Sequence, residues 1–102
     1  MTEKTIRPGD FGFESDVWPG LSKLVEEAGE VLTICGKFMG TGGDPEYWDG
    51  RNLREELTKE FGDLIAAMEF VIKFNKLDGH AIRQRMLEKL VKFEQWREKE
   101  RP

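Results

Sequence analysis

The amino-acid sequence predicts an all-α fold with about three main helices. In three segments the apolar residues recur at spacings of three and four, which is the period of an amphipathic helix. Glycine- or proline-containing stretches separate these segments, and no stretch alternates apolar and polar residues as a half-buried strand does. At 102 residues the chain can build one hydrophobic core but not two. We therefore expect an irregular N-terminal arm over residues 1–16 and a single helical domain over residues 17–100.

The first helix is predicted over residues 18–39, and Asp16 and Pro19 are typical of a helix start. One apolar strip along this helix consists of Leu21, Leu24, Val25, Ala28, Leu32, Cys35 and Met39. A second strip, on another side, consists of Val31, Ile34 and Phe38. A helix that is apolar on two sides usually has two neighbours, and in a chain of this size one of them could belong to another subunit.

A loop is predicted over residues 40–50, because this stretch contains four glycines and one proline. The second helix is predicted over residues 52–75 and the third over residues 80–99, with Asp78 as a capping residue for the third. The third helix is expected to turn one apolar face inward, formed by Ile82, Met86, Leu90, Phe93 and Trp96.

The composition excludes several classes of protein. A formal net charge of -4 argues against a broad basic surface for nucleic acid. The single cysteine excludes a disulfide within the chain and favours a reducing compartment, and the single histidine excludes a site built from several histidines of one chain. No apolar run approaches the ~20 residues that span a bilayer, and the N-terminus lacks the apolar stretch of a secretion signal. We expect a soluble cytoplasmic protein that binds neither membranes nor nucleic acid.

Two acidic pairs are the candidate functional residues. Glu27 and Glu30 lie on the first predicted helix, and Glu60 and Asp63 lie on the second. Because each helical residue advances by about 100°, residues three apart lie side by side, and each pair borders an apolar strip of its helix. Four carboxylates gathered between two helices repel one another unless a cation joins them, and oxygen ligands favour Mg²⁺, Mn²⁺ or Ca²⁺ over zinc.

Ordinary surface glutamates are the alternative interpretation, and a single acidic pair would favour it. Two pairs that both border apolar strips favour a cation site instead. Gly29 and Gly62 lie within the two pairs, and a glycine inside a helix costs about 1 kcal/mol relative to alanine. These glycines suggest a close approach of the two helices, and packing glycines unrelated to chemistry are an equal explanation.

At these residues the chain resembles the MazG family of all-α nucleoside triphosphate pyrophosphohydrolases, which are relatives of the dimeric all-α dUTPases. The family pattern is Glu-Glu-x-x-Glu, a spacer, and Glu-x-x-Asp. Here the pattern reads Glu26-Glu27-Ala28-Gly29-Glu30, a spacer over residues 31–59, and Glu60-Phe61-Gly62-Asp63. The resemblance covers residues 18–97, and the spacer is at or slightly beyond the family's usual upper length because the glycine-rich loop is long.

The resemblance implies an enzyme that hydrolyses (deoxy)nucleoside triphosphates to the monophosphate and pyrophosphate, as in nucleotide-pool house-cleaning. It implies that Glu27, Glu30, Glu60 and Asp63 hold Mg²⁺, for which Mn²⁺ could substitute. Glu26 would either support the metal ligands from outside the coordination sphere or help to orient the attacking water, and the residue that takes the proton is left open among Glu26, Glu27 and Glu30. The resemblance also implies a four-helix-bundle architecture that is completed by assembly into homodimers or homotetramers.

Other residues are candidates for holding the rest of the nucleotide. Arg85, Lys89 and Lys92 border the apolar face of the third helix, and lysines at similar places in the family contact phosphate. Solvated helix charges are the alternative for these three residues. An aromatic ring could stack on the base, and the candidates are Trp48, Tyr47 and Trp18.

Two rival functions remain at this point. One is a non-catalytic nucleotide-binding or subunit-interaction module of the same fold, and the other is a purely structural helical oligomer. The presence of all four expected ligands favours the enzyme. The sequence leaves the preferred nucleotide open.

Overall fold

The computed structural model describes residues 10–101 and contains three α-helices in this part of the chain. They are α1 (Leu21–Gly40), α2 (Leu53–Phe74) and α3 (Gly79–Glu100). The described residues form no strand, only an isolated bridge between Glu46 and Asn52 in the loop after α1. The all-α prediction is therefore confirmed, and each helix boundary lies within three residues of its predicted position. Residues 1–9 of the predicted arm lie outside the described residues.

Helices α1 and α2 form an antiparallel hairpin. Gly20, immediately before α1, lies against Phe70 and Val71 near the end of α2. Among residues 10–101, the buried apolar residues all belong to this hairpin, and Leu53 is fully buried. They are Val31, Ile34, Leu53, Ala67 and Val71.

The two apolar strips of α1 differ in burial. Val31 and Ile34 of the shorter strip are buried in the hairpin. Val25, Leu32 and Met39 of the longer strip are between 68% and 81% exposed. The longer strip is therefore not the core-facing side of α1 within one protomer.

Each helix has an acceptor for at least one N–H group of its first turn. The side chain of Asp78 accepts a hydrogen bond from the Ala81 N–H at 3.0 Å, which confirms the predicted cap of α3. Asn52 caps α2 in the same manner. Helix α1 has no side-chain cap, and the arm supplies a carbonyl instead: the Phe11 oxygen accepts from the Ser22 N–H at 3.0 Å. Phe11 of the arm is thus anchored to the first turn of α1.

The glycines inside the acidic pairs do not mark a close helix approach. A Cβ added at Gly29 or Gly62 would meet no other atom of the described residues within 4 Å. That expectation was wrong, because both positions face open space. The glycine that close approach requires is Gly20, which has a φ of 86° and whose added Cβ would lie 2.9 Å from the Phe70 ring carbon Cε1.

Helix α3 does not turn its apolar face inward. No residue of α3 is buried, and the five residues expected to face a core are between 37% and 53% exposed. The described part of the chain is accordingly elongated, with extents of 59 × 36 × 19 Å. The prediction was wrong because the described residues leave this face unpacked: only its first part, at Ile82 and Met86, lies near α2, and a cavity of about 470 Å³ separates the two helices there. None of the three helices has the combination of length and apolar composition that a membrane crossing needs.

Candidate metal centre and its two flanking cavities

Three glutamates meet between α1 and α2. Glu27 and Glu30 come from α1 and Glu60 comes from α2, and one carboxylate oxygen of each lies within 4.8 Å of the other two. The spacing of three residues places Glu27 and Glu30 side by side, and Glu27 follows the same side of α1 as the buried residues Val31 and Ile34. The hairpin therefore brings together three of the four predicted ligands, which we call the acidic cluster.

The acidic cluster contains buried oxygens without partners. Glu27 is only 8% exposed, and its Oε1 lies 3.5 Å from Lys23 Nζ. The Oε2 atoms of Glu27 and Glu60 are buried and accept no hydrogen bond from residues 10–101. A buried carboxylate oxygen without a partner is costly, and a hard cation would satisfy it. The donor set therefore fits Mg²⁺ or Mn²⁺.

The crowding of negative charge is also visible in the pKa of Glu60. That pKa is raised above its ordinary value, first by a hydrogen bond with Glu30 and then by burial. The charges of Glu30, Asp63 and Glu27 raise it further. The cluster thus disfavours its own fully ionised state, and a divalent cation would reverse that preference.

The other two residues of the family pattern lie beside the cluster. Asp63 is exposed and is not among the three carboxylates that lie within 4.8 Å of one another. It does share a cavity wall with Glu27. Glu26 is exposed, pairs with Lys23 at 3.3 Å and is not among the three clustered carboxylates.

An apolar cavity adjoins one side of the acidic cluster, and we call it the apolar chamber. Its volume is about 400 Å³, and it shares Glu27 with the cluster. The rings of Phe13 and Phe70 meet edge to face in its wall, with centroids 4.9 Å apart at an interplanar angle of 70°. Its lining consists of Phe13, Lys23, Glu27, Asp63, Ala66, Ala67 and Phe70.

A second cavity, the polar pocket, adjoins the other side of the cluster and has a volume of about 260 Å³. Its cations are Arg51 and Lys59. Arg51 pairs with Asp49 at 2.7 Å and with Glu56 at 3.5 Å, whereas Lys59 forms no ion pair within residues 10–101. The lining consists of Glu30, Thr33, Ile34, Arg51, Glu56, Lys59 and Glu60.

The predicted phosphate-binding residues are not at the cluster within one protomer. Arg85, Lys89 and Lys92 lie on α3 and line neither flanking cavity. Arg85 pairs with Glu88 at 3.4 Å. Lys89 Nζ lies 5.9 Å from the ring centroid of Phe93. Arg85 and Lys89 thus have partners on α3 itself.

The predicted stacking residues also line neither cavity. Trp48 is 85% exposed, Trp18 is about half exposed, and Lys37 Nζ lies 5.2 Å from the ring centroid of Tyr47. Sequence reasoning missed Phe13, Phe70, Arg51 and Lys59, which do flank the cluster. The only local signals were the position of Lys59 next to Glu60 and the position of Arg51 directly before the cap of α2.

Comparison of the chain with models of known protein families, with curated proteins and with solved structures finds no match to any of them.

Proposed function

We propose that this protein is a Mg²⁺-dependent nucleoside triphosphate pyrophosphohydrolase of the MazG-like kind. The observation that carries the proposal is the acidic cluster, in which carboxylates from two helices converge with buried oxygens that lack partners. The paired acidic motifs of the sequence support the same assignment. A charged, unsatisfied cluster of this kind is expensive for a structural element, and its cost is explained if a cation occupies it during function.

The metal would be held by Glu27, Glu30 and Glu60, with Asp63 as the fourth ligand. Asp63 is exposed and one helical turn beyond Glu60, so its side chain is free to rotate toward the cluster. When bound, Mg²⁺ supplies neutralisation of the triphosphate charge and activation of the attacking water. Mn²⁺ suits the same oxygen ligands.

The polar pocket is the side of the cluster on which the phosphates would lie. Lys59 has no ion pair within the described residues and Arg51 is half exposed, so both can donate to phosphate oxygens. Attack of water at the α-phosphorus would break the bond from that phosphorus to the bridging oxygen, so that pyrophosphate leaves with this oxygen, and the proton of the attacking water would pass to a nearby carboxylate. Glu26 and Glu30 are the exposed members of the motif and are better placed for this role than the buried Glu27.

We further propose that the protein acts as a homodimer or homotetramer. Apolar side chains on α3 are exposed over most of its length, and exposed apolar faces of this extent mark protein contacts. A second copy would cover them and could bring Lys89 and Lys92 to a neighbouring site. Analytical ultracentrifugation should give a multiple of the chain mass. Leu87 is an exposed apolar residue of α3, and Leu87→Lys should lower the measured mass. A monomer at all concentrations would contradict the assembly.

The activity is tested by incubating the purified protein with each nucleoside triphosphate and Mg²⁺ and resolving the products by phosphorus NMR. Monophosphate plus pyrophosphate is the expected result, and Glu60→Gln should abolish it. Glu69→Gln is the matched control, because Glu69 is an exposed glutamate of the same helix outside the cluster. Turnover at the full rate by Glu60→Gln would refute the assignment of the site.

The alternative function is a non-catalytic nucleotide-binding module of the same fold. It predicts that Mg²⁺ and nucleotide raise the melting temperature while no product forms. A purely structural oligomer predicts neither the shift nor the product.

A further inference from the structure

The apolar chamber has a composition that a metal site does not need. Phe13, Phe70 and two alanines form the apolar part of its lining, and three charged residues complete it. Sites for organic ligands are concave, mostly apolar and furnished with a few polar groups. The volume of about 400 Å³ falls within the usual range for such sites, about 300–1,000 Å³.

The arm positions one ring of the chamber. The Phe11 carbonyl accepts hydrogen bonds from both the N–H and the hydroxyl of Ser22, each at 3.0 Å. The Gly12 carbonyl accepts from the Gly20 N–H at 3.0 Å. These bonds fix residues 11 and 12 on the start of α1, so the next side chain, Phe13, lies over α2.

The other ring, Phe70, is held in place by two further contacts. Phe70 lies so close to the Gly20 backbone that a side chain at Gly20 would overlap it. Phe74 packs against Phe70 with ring centroids 4.4 Å apart and the ring planes tilted by 31°. Phe13 remains 54% exposed, so the pair offers a fixed ring and an accessible ring beside the cluster. Aromatic side chains in this arrangement can stack a planar heteroaromatic group.

We propose that the apolar chamber binds the base of the nucleotide, against Phe13 and Phe70. This inference rests on the proposed function and adds the orientation of the nucleotide in the site. The base lies toward the arm, and the phosphate tail crosses the acidic cluster toward Arg51 and Lys59. Glu27 belongs to both the chamber and the cluster, so one ligand can occupy both without a gap. Phe13 and Phe70, rather than the aromatic residues of the 40–50 loop, then determine how tightly a nucleotide is held.

The test compares binding with and without a base. Calorimetry in Mg²⁺ would give dissociation constants for the α,β-methylene analogues of the four deoxynucleoside triphosphates and for inorganic tripolyphosphate. The wild-type protein should bind at least one analogue about tenfold or more tightly than tripolyphosphate, which is the scale of stacking one base. Phe13→Ala should remove most of this preference, and Phe13→Leu, which keeps apolar volume without an aromatic ring, should remove part of it.

The matched control is Phe61→Ala. Phe61 is a phenylalanine of α2 that is 46% exposed and lines neither flanking cavity, so the base preference should survive its removal. Circular-dichroism melts would establish that each variant is folded, and Phe13→Leu carries the comparison if Phe13→Ala is unstable.

Two results would overturn the chamber while leaving the proposed function standing. One is equal affinity of the wild-type protein for tripolyphosphate and for every analogue. The other is an intact base preference in both Phe13 variants, most clearly if Trp48→Ala abolishes that preference instead. Failure of the wild-type protein to bind any of these ligands in Mg²⁺ would overturn the proposed function together with the chamber.

Discussion

The α1–α2 hairpin buries apolar side chains against itself, whereas α3, a helix as long as α2, buries none within the described residues. The difference extends to the charged groups. Glu27 in the hairpin has a buried oxygen that finds no partner among residues 10–101, while Arg85 on α3 pairs with Glu88 at the surface. Burial makes a charge costly and therefore chemically useful, so the candidate site lies in the hairpin. The apolar face of α3 stays exposed within the described residues.

The largest effect should come from the buried carboxylate of the hairpin. Glu27→Gln removes a proposed metal ligand and should lower kcat/KM by on the order of 10³-fold. The melting temperature should hold or rise, because a buried charge without a full set of partners is lost. Steady-state kinetics and thermal melts measure the two quantities. Glu94→Gln on α3 is the control. Similar values of kcat/KM for the two variants would contradict the assignment of the site to the hairpin rather than to α3.

A smaller effect is expected from truncating one leucine in each region. Leu53→Ala should lower the free energy of unfolding by about 3 kcal/mol, because it opens a cavity at a fully buried site. Leu90→Ala, at a residue that is 48% exposed, should cost under about 1 kcal/mol at low protein concentration. Urea unfolding at several protein concentrations would sharpen the comparison. If copies assemble through α3, the loss of unfolding free energy caused by Leu90→Ala should grow with protein concentration. Equal losses of unfolding free energy for Leu53→Ala and Leu90→Ala at every protein concentration would contradict the difference between the hairpin and α3.

Two glycines beside and within α1 should respond with opposite signs. Gly20→Ala should destabilise the fold by about 2 kcal/mol, because φ is positive there and the new Cβ would meet the Phe70 ring. Gly36→Ala should stabilise it by about 0.5–1 kcal/mol, because a Cβ there meets nothing and alanine favours the helix. Chemical denaturation measures both changes. A neutral Gly20→Ala would mean that the arm and Phe70 do not pack as described.

The smallest effect concerns pH. The pKa of Glu60 is raised above its ordinary value of 4.5, first by the hydrogen bond with Glu30 and then by burial. In metal-free protein the fold therefore favours protonated Glu60. The resulting stabilisation is fully present below the ordinary pKa and is lost as the pH rises through the raised pKa. Glu60→Gln cannot ionise, so its melting temperature relative to wild type should increase from acidic to neutral pH in EDTA. Parallel profiles for the two proteins would contradict the crowding of charge in the cluster.

The sequence predicts half of the site well and the other half poorly. Glu27 and Glu30 are neighbours by helical geometry alone, and the second acidic motif identified Glu60 as their counterpart. Phe13 and Arg51 were missed because each reaches the cluster through chain connections outside the helices. Periodicity carries no information about where an arm or a loop returns to the structure.

What the sequence by itself determined is local: the three helices, the loop after α1, the cap at Asp78 and the adjacency of the two glutamates on α1. Each depends on residues a few positions apart, so the spacing of side chains is enough to predict it. Only the tertiary structure decided which apolar strip of α1 faces α2, that Asp63 lies outside the three-glutamate set, and that α3 leaves its apolar face exposed. Those outcomes depend on which surfaces meet, and the apolar face of a helix indicates a partner without specifying which one.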